Sequence, residues 1–367
     1  MQASDAARIF HDWALDEGLL PDGAVAEPAS TAAEKGRVIP ITDIGRQILR
    51  AKQVQAIAFS ADRSEIVVFT KRAAPTNKKQ LAAMPTAIDD IQIRYRQGAP
   101  NPVGSLPSIP FGGPAYVVRT VGTNKFYTCG SSISLGNFRD AGTLGCLVRD
   151  SKKVLHGLSN NHVSGGCNFA GIGLPILAPG VFDVAPACLP PFTIGFHKTS
   201  LPMVAGSADN VDPKINVDAA IFEIADEKLV SSFQGDAYDT PSAVGVLSDN
   251  MGVEKFGRTT NHTRGKVVGQ IYGAHPIQYS AALYGFSGFV SFDPTFAIVG
   301  VGDLFSDNGD SGSLITSTDS SGKRIAVGIV VGGYTDSAAP GGKITVALPI
   351  APILQALGVT LVAGHNI

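Results

Sequence analysis

Few charges, few cysteines and no long apolar run limit what this 367-residue chain can be. No apolar run reaches the roughly 18 residues of a membrane-spanning helix. The segment Met1 to Phe10 carries acidic and polar residues where a secretory signal needs an apolar core, so we expect a cytoplasmic protein. Charged residues make up 16% of the chain and the net charge is −2, which provides no field to attract nucleic acid or an anionic membrane; neither partner is expected.

Signatures of metal and nucleotide sites are also missing. The four cysteines lack the Cys-x-x-Cys spacing of structural zinc sites: Cys129, Cys146, Cys167 and Cys188. Neither a phosphate-binding loop nor a Gly-x-Gly-x-x-Gly fingerprint occurs. Asp303, Asp307 and Asp310 are close in sequence, but they lack the alternating ligands and terminal glutamate of a calcium loop. No cofactor and no metal are therefore expected.

What the chain does contain is typical of a turn-rich β protein. It has 42 glycines and 23 prolines, and 44% of its residues are hydrophobic, enough to bury one or two sizeable cores. From about residue 115 to residue 348, short alternating segments separated by turn signals indicate two packed antiparallel barrels. Ile350 to Leu357 has the spacing of a closing C-terminal helix.

The first hundred residues have a different pattern, that of a small α+β domain. Proline and glycine then concentrate in residues 97 to 114, a composition that predicts a linker. We expect an N-terminal domain over 1–108, regulating or assembling a second domain over 109–367. The predicted N-terminal elements are a helix from Ile41 to Lys52, strands from Val54 to Ser60 and Glu65 to Lys71, a helix capped by Thr76 that runs through Met84, and a strand from Ile91 to Tyr95.

One loop has the composition that acyl-transfer chemistry requires: Gly309-Asp310-Ser311-Gly312-Ser313. A serine hydroxyl is a poor nucleophile unless a base takes its proton and N–H groups receive the charge that develops on the attacked carbonyl. Gly309 has no Cβ, so it can adopt the conformation that points its N–H and that of Ser311 at one spot, an oxyanion hole. The alternative is an ordinary polar turn, because the segment is rich in turn-forming residues.

A histidine base and an orienting acid are available upstream of the serine. His162 follows a predicted strand, Val154 to Leu158, in a polar turn, and Asp218 opens the apolar segment Ala219 to Phe222. A buried aspartate at that position would accept the Nδ1 proton of the histidine. Each residue alone has an ordinary interpretation. Most histidines are surface or core residues, and an acidic residue just before a strand commonly does no more than cap the end of that strand.

Together, His162, Asp218 and Ser311, in that order and with Gly-Asp-Ser-Gly-Ser at the serine, resemble the trypsin-like, chymotrypsin-fold serine proteases. Gly142 to Val148 resembles the strand before the histidine strand. Lys255 to Thr260, with Arg-Thr-Thr inside it, is similar to an intracellular bacterial and plant branch that includes the narrow-leaf type. Over about residues 112 to 358, the resemblance implies two antiparallel six-stranded barrels, with the site at their interface.

The same resemblance implies where a substrate would bind. Val327 to Gly333 resembles the strand whose backbone pairs with substrate, and Phe305 replaces the acidic residue that selects basic side chains in trypsin. A preference for cleavage after Lys or Arg is therefore not expected. The implied substrate-binding residues are Phe305, Asn308, Val330, Val331 and Gly332.

Three departures from the family pattern bear on activity. No activation site precedes the domain, so Asp310 needs a partner other than a freed N-terminus. Val330 stands where the family usually has a serine that supports the catalytic aspartate. Cys146 and Cys167 flank the histidine strand as a family disulfide often does, but reduced thiols are expected in a cytoplasm.

Two functions remain open from the sequence. The first is a serine endopeptidase that acts on a protein or peptide substrate through an acyl-enzyme, with self-association or a regulatory partner bound through the N-terminal domain. The second is a protease fold that has lost activity and serves as a scaffold or peptide-binding module.

Overall fold

The computed structural model describes residues 1–20, 39, 41–60, 63–73, 75, 77–100, 115–186, 188–206 and 210–367. The α-helices within these ranges are α1 (Ala3–Asp16), α2 (Asp43–Lys52), α3 (Lys78–Ala83), α4 (Asn161–Ser164) and α5 (Ile350–Leu357). The strands before α4 are β1 (Val54–Ser60), β2 (Glu65–Thr70), β3 (Ala87–Ile88), β4 (Ile91–Gln97), β5 (Ala99–Pro100), β6 (Val118–Val121), β7 (Asn124–Cys129), β8 (Ser132–Leu135), β9 (Gly142–Thr143), β10 (Cys146–Asp150) and β11 (Leu155–Ser159). The strands after α4 are β12 (Pro175–Ala178), β13 (Phe192–Ser200), β14 (Ala220–Ile224), β15 (Val230–Gln234), β16 (Tyr238–Asp239), β17 (Gly252–Gly257), β18 (Asn261–Ile271), β19 (His275–Ala281), β20 (Phe286–Phe292), β21 (Thr295–Gly300), β22 (Leu314–Thr318), β23 (Arg324–Thr335), β24 (Lys343–Pro349) and β25 (Val359–Leu361).

Six antiparallel strands close into a barrel in the C-terminal half. Their order is β17-β22-β23-β24-β21-β18, and a direct pairing of β17 with β18 completes the ring. Closure leaves no free edge among these six strands and encloses an apolar core that includes Val267, Ile298 and Val327. We call this ring the second barrel.

The part of the chain that precedes the second barrel, together with the C-terminal strand β25, forms the other barrel-like unit from two sheets. An eight-stranded sheet has the order β25-β10-β11-β14-β13-β12-β8-β9, and a four-stranded sheet has the order β16-β15-β7-β6. Tyr127 of the smaller sheet and Leu147 and Phe222 of the larger one share one buried core. The predicted fold class, mainly β with two barrels, is confirmed; one exception to antiparallel pairing here is β7 with β15.

The N-terminal strands continue the sheet of the second barrel. β1 pairs with the end of β18 at Ala58 and Ile271, and β2 pairs with β1 and β4. A Cβ at Gly269 of β18 would lie 2.0 Å from the carbonyl oxygen of Phe59, so only glycine admits this approach of β1. Alternate residues of β2 face two cores: Ile66 and Val68 pack in the cluster that contains α1, and Val67 and Phe69 pack in the cluster that contains barrel residues.

Most predicted N-terminal elements occur with small shifts of boundary. β1 has the predicted bounds, β2 ends one residue before the predicted Lys71, and β4 extends two residues beyond the predicted Tyr95. α2 begins at Asp43, because Thr42 caps it by accepting a hydrogen bond from the N–H of Gly45. α3 is capped by Asn77 and ends at Ala83, whereas Thr76, the predicted cap, lies outside the described residues.

Two features differ from the sequence-based expectation or add to it. The helix α1 was not expected, although it buries Ala6, Ala7, Phe10 and Ala14 in a regular apolar stripe. β5 lies within the predicted linker and pairs with β23, while the remaining linker residues 101–114 lie outside the described ranges. The division into two domains stays a prediction. α5 has the predicted bounds.

Two further observations concern cysteines and membrane segments. All four cysteines are unpaired. Burial raises the pKa of Cys129 to about 12, so this thiol is protonated at neutral pH. No helix among the described residues combines the length and apolarity needed to cross a bilayer.

Candidate active site

His162 and Asp218 leave the same end of two paired strands. β11 and β14 pair with Ser159 opposite Ala220; His162 follows β11 in the short helix α4, and Asp218 precedes β14. The imidazole Nδ1 lies 2.6 Å from the Asp218 Oδ2, with side-chain exposures of 6% and 0%. An ionised carboxylate only accepts hydrogen bonds, so in this pairing Nδ1–H is the donor, and Nε2 is the ring nitrogen that could act as a base.

Further donors hold the Asp218 carboxylate in place. The backbone N–H of His162 donates to Oδ1 at 3.0 Å, and the Tyr279 hydroxyl donates to Oδ2 at 3.0 Å. Sequence reasoning missed Tyr279. Its only sequence signal is its place in the alternating strand β19, which predicts a buried tyrosine in need of a hydrogen-bond partner but does not identify that partner.

The serine loop approaches the histidine side of the site through glycine. Gly312 has φ 94°, and a Cβ there would lie 2.4 Å from the Ser159 Oγ and 2.5 Å from the carbonyl oxygen of Thr143. The N–H of Thr143 in turn donates to the carbonyl oxygen of Ser311 at 2.9 Å. These contacts put Ser311 beside the segment that leads to His162. Among the described residues, the Ser311 hydroxyl itself makes no hydrogen bond.

The backbone of the loop leaves two donors available. Within the described part of the chain, the N–H groups of Asp310, Gly312 and Ser313 donate to carbonyl oxygens, whereas those of Gly309 and Ser311 have no acceptor. Gly309 has φ 99°, a conformation that glycine adopts readily. Two unsatisfied N–H groups on either side of Asp310 are what an oxyanion hole requires.

Asp310 is held by a buried lysine. Lys255 Nζ lies 3.2 Å from Asp310 Oδ2, and neither side chain is exposed. The carboxylate also accepts from the N–H of Thr259 at 2.7 Å and from the Thr260 hydroxyl at 2.6 Å. Burial lowers the pKa of Lys255, while the charge of Asp310 and the hydrogen bond to it act in the opposite direction. Lys255 is thus the partner of Asp310 that the sequence analysis expected in place of a freed N-terminus.

A second buried ion pair joins the two halves of the molecule. Arg258 of the Arg-Thr-Thr segment donates from Nε to Asp183 Oδ2 at 2.9 Å, and Ser132 donates to the same oxygen at 2.5 Å. Asp183 is therefore occupied by Arg258, not by His162. Asp212, which lies six residues before Asp218, accepts a hydrogen bond from the N–H of Lys214.

The predicted substrate-binding residues are mostly buried. Phe305 is 1% exposed inside the second barrel, and Val330 and Val331 are also buried, whereas Asn308 and Gly332 are half-buried. Both backbone groups of Val330 are already paired, with Ser313 and Gly312. Substrate binding by these five residues stays a prediction.

The three aspartates considered as a metal site have other partners. Asp307 pairs with Lys343, Asp310 pairs with Lys255, and Asp303 accepts from the N–H of Leu304. Among the described residues, no group of three or more His, Cys, Asp or Glu side chains is arranged to hold a metal ion.

Comparison with known proteins gives distant likenesses of structure alone. No protein-family model and no curated protein matches the chain. Thermobifida fusca protease A superposes with a TM-score of 0.42 at 18% identity, over 65% of this chain and 98% of its own. A glutamic acid-specific serine protease gives 0.41 at 17% identity, over 64% and 100%. Cellulomonas bogoriensis chymotrypsin gives 0.40 at 16% identity, over 64% and 97%. TM-scores this low carry no argument, so the strands and contacts of this chain alone define its fold and its candidate site.

Proposed function

We propose that the protein is a serine endopeptidase that uses His162, Asp218 and Ser311. One observation carries the proposal. A buried His162–Asp218 pair, 2.6 Å apart, lies on one side of the site, and two unsatisfied N–H groups, at Gly309 and Ser311, lie in the serine loop on the other side. A general base and an oxyanion hole that flank one serine are the parts that acyl transfer needs.

The proposed reaction has two stages. The Ser311 hydroxyl oxygen attacks the peptide carbonyl while His162 Nε2 takes its proton, and the N–H groups of Gly309 and Ser311 bind the oxyanion. The imidazolium, stabilised by Asp218, gives the proton to the departing amine, which leaves an ester on Ser311. A water molecule then loses a proton to His162 and attacks the ester; the Ser311 oxygen leaves and takes that proton back from the imidazolium, which releases the carboxylic acid and restores the serine and the base.

One observation favours the inactive scaffold instead: the Ser311 hydroxyl makes no hydrogen bond to the imidazole among the described contacts. Incubating the full chain with an unfolded protein and a mixed peptide library, and mapping new termini by mass spectrometry, separates the two functions. An endopeptidase produces internal cuts that disappear in Ser311→Ala. A folded protein that binds peptides but leaves them uncut supports the scaffold and contradicts the proposal.

The N-terminal residues 1–108 are proposed to assemble or regulate the protease, because they supply none of the three catalytic residues. Two contacts support a fixed position on the second barrel: the pairing of β1 with β18, and the stacking of Phe69 on Tyr334 at 6.5 Å between ring centroids. A chain that begins near Ser108 should still react with a fluorophosphonate probe at Ser311. Because removal of residues 1–108 exposes apolar surface of the barrel, this chain should unfold at a lower temperature and should differ in oligomer size, as measured by light scattering. A soluble, folded truncation that does not label would show that residues 1–108 help to build the site.

A further inference from the structure

Tyr279 occupies an unusual place for a tyrosine. Its side chain is 0% exposed, its hydroxyl lies 3.0 Å from Asp218 Oδ2, and its ring centroid lies 5.5 Å from that of His162. Asp218 Oδ2 thus receives both the imidazole N–H and the phenol O–H, while Oδ1 receives the backbone N–H of His162. No lysine or arginine of the described residues pairs with this carboxylate.

The hairpin that carries Tyr279 spans both halves of the molecule. β19 and β20 pair only with each other among the described strands. At the base of the hairpin, His275 Nδ1 lies 2.8 Å from the hydroxyl of Tyr334 in the second barrel. At its tip, Tyr284 stacks on Phe138 and Phe169 of the first half, with centroids 6.2 and 5.5 Å apart.

Packing leaves the phenol little freedom. The Tyr279 ring meets Phe292 of β20 edge-on at 5.9 Å between centroids, within the largest buried cluster. Burial first, and then the charge of Asp218, raise the pKa of Tyr279 well above its ordinary value, so the hydroxyl keeps its proton and donates throughout the working pH range.

We propose that Tyr279 is the positioning residue of the catalytic acid: through its hydroxyl it fixes the Asp218 carboxylate against His162. The inference rests on the proposed peptidase function. It assigns the β19–β20 hairpin a part in catalysis, since the hairpin brings a donor from the second half of the chain to the acid of the first.

Tyr279→Phe tests the assignment, because the ring keeps its packing and only the hydroxyl is lost. Tyr334→Phe is the matched control: it removes another buried phenol, at the base of the same hairpin, that does not touch Asp218. A hydrogen bond to a charged group corresponds to a loss of about 10- to 100-fold in kcat for Tyr279→Phe, with KM nearly unchanged. For Tyr334→Phe, kcat should stay within about twofold of wild type.

A second readout does not depend on turnover. The far-downfield proton resonance of His162 Nδ1–H, observed in histidine-labelled protein, should shift in Tyr279→Phe and stay in place in Tyr334→Phe. Thermal unfolding of both variants checks that each is folded. A kcat for Tyr279→Phe within twofold of wild type, or a resonance that moves equally in both variants, overturns the assignment. If the wild-type protein cleaves no peptide, the proposed function fails, and the resonance alone decides whether Tyr279 positions the acid.

Discussion

Two buried aspartates, one on each side of the candidate site, are held in opposite ways. Asp218, on the histidine side, accepts from a backbone N–H, an imidazole and a phenol. Asp310, on the serine side, accepts from three backbone N–H groups and a hydroxyl, and it also pairs with the ammonium of Lys255. Both side chains are fully buried, so the difference lies in their partners and not in exposure to solvent.

The difference fits the task proposed for each carboxylate. A catalytic acid must respond when the imidazole becomes charged, and a permanent cation beside it would already have neutralised the charge that stabilises the imidazolium. A carboxylate that fixes a loop has no such requirement, and a buried cation holds it firmly because an unpaired buried charge is costly. Partner charge, not residue type, therefore separates the proposed catalytic aspartate from the one proposed to fix the loop.

Asp218→Asn breaks the histidine side and should have the largest effect. The amide donates to the imidazole where the carboxylate accepted, which favours the wrong tautomer, so we expect kcat to fall roughly 10⁴-fold. Steady-state kinetics measure the loss, and circular dichroism should show an unchanged fold. A loss of only a few-fold would mean that Asp218 does not orient His162.

Lys255→Met removes the ion pair that holds Asp310 on the serine side, and its effect should be seen in the stability of the protein. It leaves the buried Asp310 carboxylate unpaired, which should cost about 3–5 kcal/mol in the free energy of unfolding measured with denaturant. Lys343→Met is the matched control, since Lys343 pairs with Asp307 in the same loop but is partly exposed, and its loss should cost about 1 kcal/mol or less. Equal costs for the two variants would contradict the anchoring of the loop by Lys255.

A smaller effect, which comes from His275, should appear in the pH dependence of the free energy of unfolding. Burial lowers the pKa of His275, at the base of the hairpin, to about 3, below the usual unfolded value near 6.5. Between these pH values the unfolded chain binds a proton that the folded protein does not, so stability falls as the pH drops through this window. The contribution of His275 to the slope of the free energy of unfolding against pH approaches about 1.4 kcal/mol per pH unit.

His275→Gln should flatten the fall in stability. Denaturant unfolding at pH 7, 6 and 5 measures the slopes, and the variant should lose less stability per pH unit than wild type. Parallel curves for the two proteins would show that His275 is not held neutral in the folded protein.

Local patterns in the sequence predicted the fold class, the strands that bear the site and the three candidate catalytic residues. Glycines around a serine and an acid before an apolar strand are signals that lie within a few residues, and the structure places His162 and Asp218 in contact. Their catalytic roles stay a prediction. Tyr279 and Lys255 carry no such signal, because each meets its aspartate only after distant strands are assembled. The same holds for β1, whose pairing with β18 depends on a backbone approach at Gly269 that no local pattern encodes.

The central claim, an assembled nucleophile at Ser311, is tested most directly with a fluorophosphonate probe. The full chain is treated with the probe and digested, and the adduct is located by mass spectrometry beside Ser311→Ala and Asp218→Asn. An active site built as described forms one adduct, on Ser311, which is lost in Ser311→Ala and forms far more slowly in Asp218→Asn. A folded wild-type protein that stays unlabelled at Ser311, or that labels as fast as its Ser311→Ala variant, would contradict it.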